Sequence, residues 1–117
     1  MGDITKNFSR YEFSCKCGCG FDEINERLVH RIQVIRDIAN VSIIINSGCR
    51  CQKHNKNIGG SEGSYHLLGM AADWEFDIVG NMLDFRICML LKEWSGGFHY
   101  YRNKRFFHVD IGPKRRW

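Results

Sequence analysis

The sequence has one proline in 117 residues, no internal repeat and no low-complexity tract, so little of it reads as linker or disordered tail. No window is apolar for long enough to cross a bilayer, and no membrane partner is expected. The opening "MGDITKNFSRYEF" lacks the basic segment and continuous apolar stretch of a secretory signal. The expectation is a protein made in the cytoplasm without its own export address. With 44% hydrophobic and 13% aromatic residues the chain can build one modest core. One domain spanning residues 1–117 follows, because a second would not fit.

Positive charge and cysteine are plentiful. The formal net charge is +4, and "RNKRFF" and "PKRRW" gather much of the excess near the C-terminus. Such a cluster suits an anionic polymer, a bacterial wall as well as a nucleic acid, although a solvated basic face is its commonest meaning. No nucleic-acid partner is expected. Of six cysteines, Cys15, Cys17 and Cys19 alternate in "CKCGCG", Cys49 and Cys51 flank Arg50, and Cys88 lies in an apolar helical pattern. The alternating triplet departs from the C-x-x-C spacing of zinc knuckles and is a weak metal signal. Without a signal peptide, disulfides have no ground for being presumed. Free or partly paired thiols are expected ahead of a second metal site, with Cys88 in the core.

Hydrophobic periodicity outlines the elements. Ile24, Leu28, Ile32, Ile35 and Ile38 recur at helical spacing and predict an amphipathic helix over 23–40, capped by Asp22. "VSIIIN" (41–46) predicts a buried strand. The polar, glycine-rich "SGCRCQKHNKNIGGSEGSYH" that follows is longer than a structureless connection usually is, which marks a functional loop. "MAADWEFDI" (70–78) predicts a strand, "GNMLDFRICMLLKEW" (80–94) a second helix, and "GGFHYY" with "RFFHVDI" a hairpin. The fold class is α+β, a small, largely antiparallel sheet with helices packed on one face.

Ionisable residues inside the apolar runs carry the chemistry. Catalytic zinc takes three protein ligands and leaves a fourth position for water. His66 and Asp73 supply two donors if the chain turns between them, and Gly69 permits the turn. His108 is the best third, since strand alternation puts it on one face with Asp110 while Phe107 and Val109 face the other way. Two ionisable residues on one face of a buried strand are costly unless paired or metal-bound. Spacing alone leaves a metal site and a hydrogen-bonded His/Asp pair equally open.

"NFSRYEFSCKCGCG", "SGCRCQKHN", "GGSEGSYHLLGMAAD" and "FFHVDIGPKRRW", met in that order, resemble the M15 peptidases, the zinc D-alanyl-D-alanine carboxypeptidase and murein endopeptidase family in its short bacterial and phage form. The resemblance covers essentially the whole chain. It implies that His66, Asp73 and His108 bind Zn2+ and that the substrate is a peptide bond in the peptidoglycan stem or cross-link. It further implies that Arg50 holds a substrate carboxylate, which its bidentate guanidinium suits, and that Ser64 orients a ligand or substrate, with a plain turn role as the alternative. The family pattern is broken where relatives carry an acidic residue three positions before the last zinc histidine, or a histidine two before it. These positions are Arg105 and Phe106 here. Asp110 is then the catalytic candidate as general base, with the orientation of a metal-bound histidine as its competing role. His54 and His99 stand in reserve. Tyr65, Trp74, Tyr100, Tyr101 and Trp117 are candidate cleft aromatics, most of them expected in packing. The expected setting is a monomeric phage-type lysis or host-penetration enzyme acting on the wall after release or from the particle. The alternative is a zinc-containing wall-binding module without turnover.

Overall fold

In two neighbouring strands, Ala71–Phe76 and Phe106–Asp110, apolar and ionisable residues alternate, and this alternation divides the molecule into a dry side and a polar side. The computed structural model describes residues 2–78 and 81–117. Among these, β1 (Ile43–Ser47), β2 (Ala71–Phe76), β3 (Gly97–Tyr101), β4 (Phe106–Asp110) and β5 (Arg115–Arg116) form one sheet in the order β1-β2-β4-β3-β5. Neighbours are antiparallel except β3 and β5, which are parallel. With α1 (Glu26–Ala39), α2 (Gln52–Asn57) and α3 (Asn81–Leu90), this is the expected α+β architecture.

The dry face carries Ile43, Ile45, Ala72, Trp74, Phe76, Phe107 and Val109, joined in one core with Leu28, Val29, Ile32 and Ile35 of α1 and Ile87 of α3. Trp74 and Phe107, opposite each other on β2 and β4, stack with centroids 4.5 Å apart and planes 15° apart. Burial of this face holds the sheet rigid and leaves the other free to carry polar groups. Asp73, His108 and His99 share that second face, because register pairs Asp73 with His108 and His108 with His99.

Several expected boundaries shift, each for a local reason. The first helix starts at Glu26, and its cap is Asn25, whose Oδ1 accepts the Arg27 N–H at 2.9 Å, instead of Asp22. Before it the chain makes a tight turn, the Ile24 N–H donating to the Asp22 carbonyl at 2.8 Å, and Ile24 enters the core, while Ile38 faces solvent. β1 lies at the edge of the sheet, so Ile44 is exposed and the strand is buried on one face only. A bulge at Asn46 advances the register and sets Ser47 opposite Asp73. The long polar loop contains α2 and a 3-10 turn, Tyr65–Leu68. Gly80, the first residue of the second expected helix, lies outside the described residues.

The basic C-terminus is less free than its composition implies. The Arg116 guanidinium donates to the carbonyls of Gly96 (2.7 Å), Trp94 (2.6 Å) and Lys92 (3.0 Å), stitching the end of the chain to the segment before β3. Cys88 is partly buried against the core. Trp74 is fully buried, yet among the described residues its indole N–H has no hydrogen-bond partner. Trp74→Ala is therefore expected to cost about 3–5 kcal/mol of unfolding free energy. Trp74→Phe should cost much less, since it keeps a ring against Phe107 and removes the orphan donor; denaturant titration of both variants checks the order.

Candidate metal centre

Local chain reversal brings His66 and Asp73 together across seven positions. Ser64 Oγ accepts the His66 N–H at 3.2 Å and starts the 3-10 turn, and Gly69, at φ +67°, ends it in the left-handed region. A side chain at Gly69 would also overlap the carbonyl of Glu23. The turn lays His66 over β2, with Nε2 at 3.3 Å from Asp73 Oδ1, while from β4 His108 Nδ1 reaches the same oxygen at 2.9 Å. The three donor atoms lie within 4.8 Å of one another and all three residues are buried, His66 to 2% exposure.

The outer ring nitrogens decide what the inner ones offer. His66 Nδ1 lies 2.7 Å from the Gly48 carbonyl, and His108 Nε2 lies 2.8 Å from Asp110 Oδ2. The Gly48 carbonyl can only accept, so His66 Nδ1 carries the proton and in the neutral ring its Nε2 turns a lone pair toward Asp73. His108 stands between two carboxylates, and with its proton on the Asp110 side its Nδ1 lone pair faces the same Asp73 oxygen. Lone pairs of three donors converging in a buried space repel one another unless a proton or a cation sits between them. This donor set fits a divalent metal, with the outer partners holding each imidazole in its coordinating tautomer.

The charges follow the same geometry. Burial alone would raise the Asp73 carboxyl, but the bonds to His108 and His66 outweigh it and hold the group well below the usual carboxylate range. Burial would likewise lower His108, yet Asp110 and Asp73 on its two sides raise it. Asp110 is opposed by burial and depressed by His108, Arg115 and the Gly97 N–H.

The two arginines beside the cluster are both engaged. Arg50 donates through Nη2 to Asp73 Oδ2 (3.0 Å), through Nε to Ser47 Oγ (3.0 Å) and through Nη1 to Asn55 Oδ1 (3.1 Å). Arg115, which sequence reasoning left in the basic tail, donates through Nη2 to Asp110 Oδ2 at 2.6 Å and lies over the Tyr65 ring. Asp110 is fully buried, and its Oδ1 accepts from Gly97 N (2.9 Å) and Gly112 N (3.0 Å), so both carboxylate oxygens are committed. The cluster floors an open cleft of about 440 Å³, whose walls include Arg50, Ser64, Tyr65, Tyr101, Arg115 and Trp117.

Other candidates fall elsewhere. Trp74 and Tyr100 face the core side, and the Tyr100 hydroxyl donates to Asp84 Oδ2 at 2.6 Å. Arg105 turns toward the same Asp84, with Nη2 at 3.2 Å, away from the cleft. His99 stacks on Trp117 at 5.2 Å, outside the cleft wall, and His54 lies on α2. The structure also gathers Cys15, Cys17, Cys19 and Cys51 into one group, although the triplet's spacing is a weak metal signal.

A buried His/Asp/His set at the floor of an open cleft is a donor group that can hold a metal ion where a substrate can reach it. The family model described as Peptidase M15 matches residues 6–110, and the chain belongs to this family. The probable peptidoglycan L,D-endopeptidase MepK of Haemophilus influenzae is 32% identical over 93 residues, 75% of this chain and 49% of the relative. The peptidoglycan L,D-endopeptidase MepK of Escherichia coli K12 is 39% identical over 59 residues, 50% of this chain and 31% of the relative. The chain thus spans half or less of the length of these relatives.

A pH dependence of the metal-free protein follows. The raised His108 contributes stability that is complete below about pH 6.5, the ordinary histidine value, and is lost as pH rises through its folded value. The depressed Asp73 and Asp110 contribute stability that is present above about pH 4 and lost as pH falls toward their folded values. Chelated protein should therefore have its highest Tm between these limits, and His108→Gln should flatten the alkaline side. A wild-type Tm that climbs steadily from pH 6 to pH 9 would contradict the assignment.

Proposed function

We propose that this chain is a zinc-dependent peptidase that hydrolyses a peptide bond within the peptidoglycan stem or cross-link, with His66, Asp73 and His108 as the zinc ligands. The observation that carries the reading is the pair of imidazoles whose outer nitrogens are held by Gly48 and Asp110 and whose inner nitrogens meet at Asp73. Zinc bound there supplies Lewis acidity toward a peptide carbonyl and activates water for attack. Membership in the M15 family and similarity to two proteins named as peptidoglycan endopeptidases support the substrate class.

The residues around the metal ligands divide the remaining work. Arg50 fixes the free oxygen of Asp73 and so aims the other one, in addition to facing the cleft. Arg115, with its side chain 37% exposed, presents the more accessible cation to a substrate carboxylate. Ser64 holds the turn that carries His66. Asp110 is a positioning residue for His108, because a carboxylate with both oxygens engaged and no exposed surface is poorly placed to take a proton from water.

The test separates these roles. Metal-loaded wild type incubated with purified wall fragments should release new amino groups, and His66→Ala and His108→Ala should lose turnover together with the zinc held at this centre. Asp110→Asn is expected to weaken zinc affinity by about 10–100-fold, with turnover recovering at saturating metal. Intact zinc affinity with turnover abolished at saturating metal would return Asp110 to the role of general base. The commitment of every cleft carboxylate oxygen also favours a second reading, a wall-binding module that retains metal and wall fragments without cleavage. Any metal-dependent release of amino groups by wild type rules that reading out.

A further inference from the structure

Away from the cleft floor, the sulfur atoms of Cys15, Cys17, Cys19 and Cys51 all lie within 4.8 Å of one another. Cys17 Sγ is 3.4 Å from Cys15 Sγ and 3.6 Å from Cys51 Sγ. Four thiolates around a tetrahedral zinc, at the usual bond length of about 2.3 Å, stand about 3.8 Å apart. The group is already close to the size of a coordination sphere. We propose that these four cysteines form a second metal site, a closed tetrathiolate taking Zn2+ in a structural role.

Backbone geometry explains how so unusual a spacing converges. In an extended strand, C-x-C-x-C would set successive thiols about 7 Å apart along one face. Here the segment is a turn instead: the Gly18 N–H donates to the Cys15 carbonyl at 3.1 Å, and the Cys15 N–H to the Phe21 carbonyl at 2.8 Å. Gly18 and Gly20, at φ +81° and +91°, take the left-handed conformations that curl it. The fourth sulfur comes from 36 positions beyond Cys15, and the Cys51 N–H donates to Cys15 Sγ at 3.4 Å. A second amide, His54 N–H, donates to Cys51 Sγ at 3.4 Å. Amide donors aimed at sulfur favour the thiolate, the form a metal takes.

The arrangement has one centre. Cys17 touches Cys15 and Cys51 at nearly equal distance, whereas two disulfides would separate the group into pairs. On binding, four thiols release four protons and one Zn2+ enters, leaving a centre of net charge −2 in a chain whose formal charge is +4. Cys17 and Cys19 are exposed, so the ion has access. Four protein ligands leave no position for water, which is the pattern of a structural site and not a catalytic one. Its mechanical effect would be to staple the N-terminal segment to the residue beside Arg50, whose guanidinium holds Asp73. This inference does not rest on the peptidase reading.

The experiment is a titration of Co2+ into the full chain, reduced and freed of metal by chelation. Wild type should take up two equivalents, one of which gives the intense near-ultraviolet sulfur-to-cobalt absorption that thiolate ligands produce and His/Asp ligands do not. Cys17→Ser/Cys19→Ser should lose that band and one equivalent. His66→Ala should keep the band and lose the other equivalent, and Cys88→Ser should keep both. If the double variant does not fold, wild type alone decides. No thiolate band in the reduced wild-type protein overturns the proposal, as does a band that persists in a folded Cys17→Ser/Cys19→Ser chain.

Discussion

One oxygen of a buried carboxylate, Asp73 Oδ1, is shared by two imidazoles, and much of the structure serves to hold that contact. A charged carboxylate inside a small domain is tolerable only with several compensating partners. The sheet supplies one through the direct opposition of Asp73 and His108 across β2 and β4. The turn ending at Gly69 supplies the second, and Arg50 neutralises the other oxygen. Behind the histidines stand the Gly48 carbonyl and Asp110, and behind Asp110 stand Gly97, Gly112 and Arg115. Each shell restricts the one in front of it, so the donors meet in a geometry that no single element could impose.

The dry side of the sheet makes this precision affordable. Trp74 and Phe107 stack on the opposite face from Asp73 and His108, each the immediate neighbour of one of them along its strand. A close-packed layer there keeps the two strands from sliding, and a slip of one residue would exchange the polar and apolar faces. The two faces are therefore one design constraint. Close approach matters too: a methyl group on Gly97 would overlap the Asp110 carboxylate and the Arg115 guanidinium.

The arginines show why net charge is a poor guide to surface function. Arg50, Arg115 and Arg116 each spend their donors inside the molecule, on carboxylates or on carbonyls at the end of a helical segment. Read as composition, Arg115 and Arg116 belong to a basic tail. In the fold they form β5, close the wall of the cleft and fasten the chain end beside β3. The cleft keeps a positive rim because Arg115 remains partly exposed.

The sequence by itself determined the class of fold and the three clustered donors. Period-2 alternation in "AADWEF" and "FFHVDI" assigns both strands and the faces of their residues, and the ordered motifs carry the family resemblance. Element ends were less legible, because the cap at Asn25 and the bulge at Asn46 depend on which neighbouring group claims a backbone donor. Tertiary structure alone decided that Asp110 is enclosed, that Arg105 turns away to Asp84, and that Arg115 belongs to the cleft. It also decided the thiol cluster, since Cys51 meets Cys15, Cys17 and Cys19 only when two distant loops pack together. Alternation and turn chemistry are local, and so can be read along the chain. Hydrogen-bond saturation and long-range convergence depend on which groups share space, and that exists only after folding.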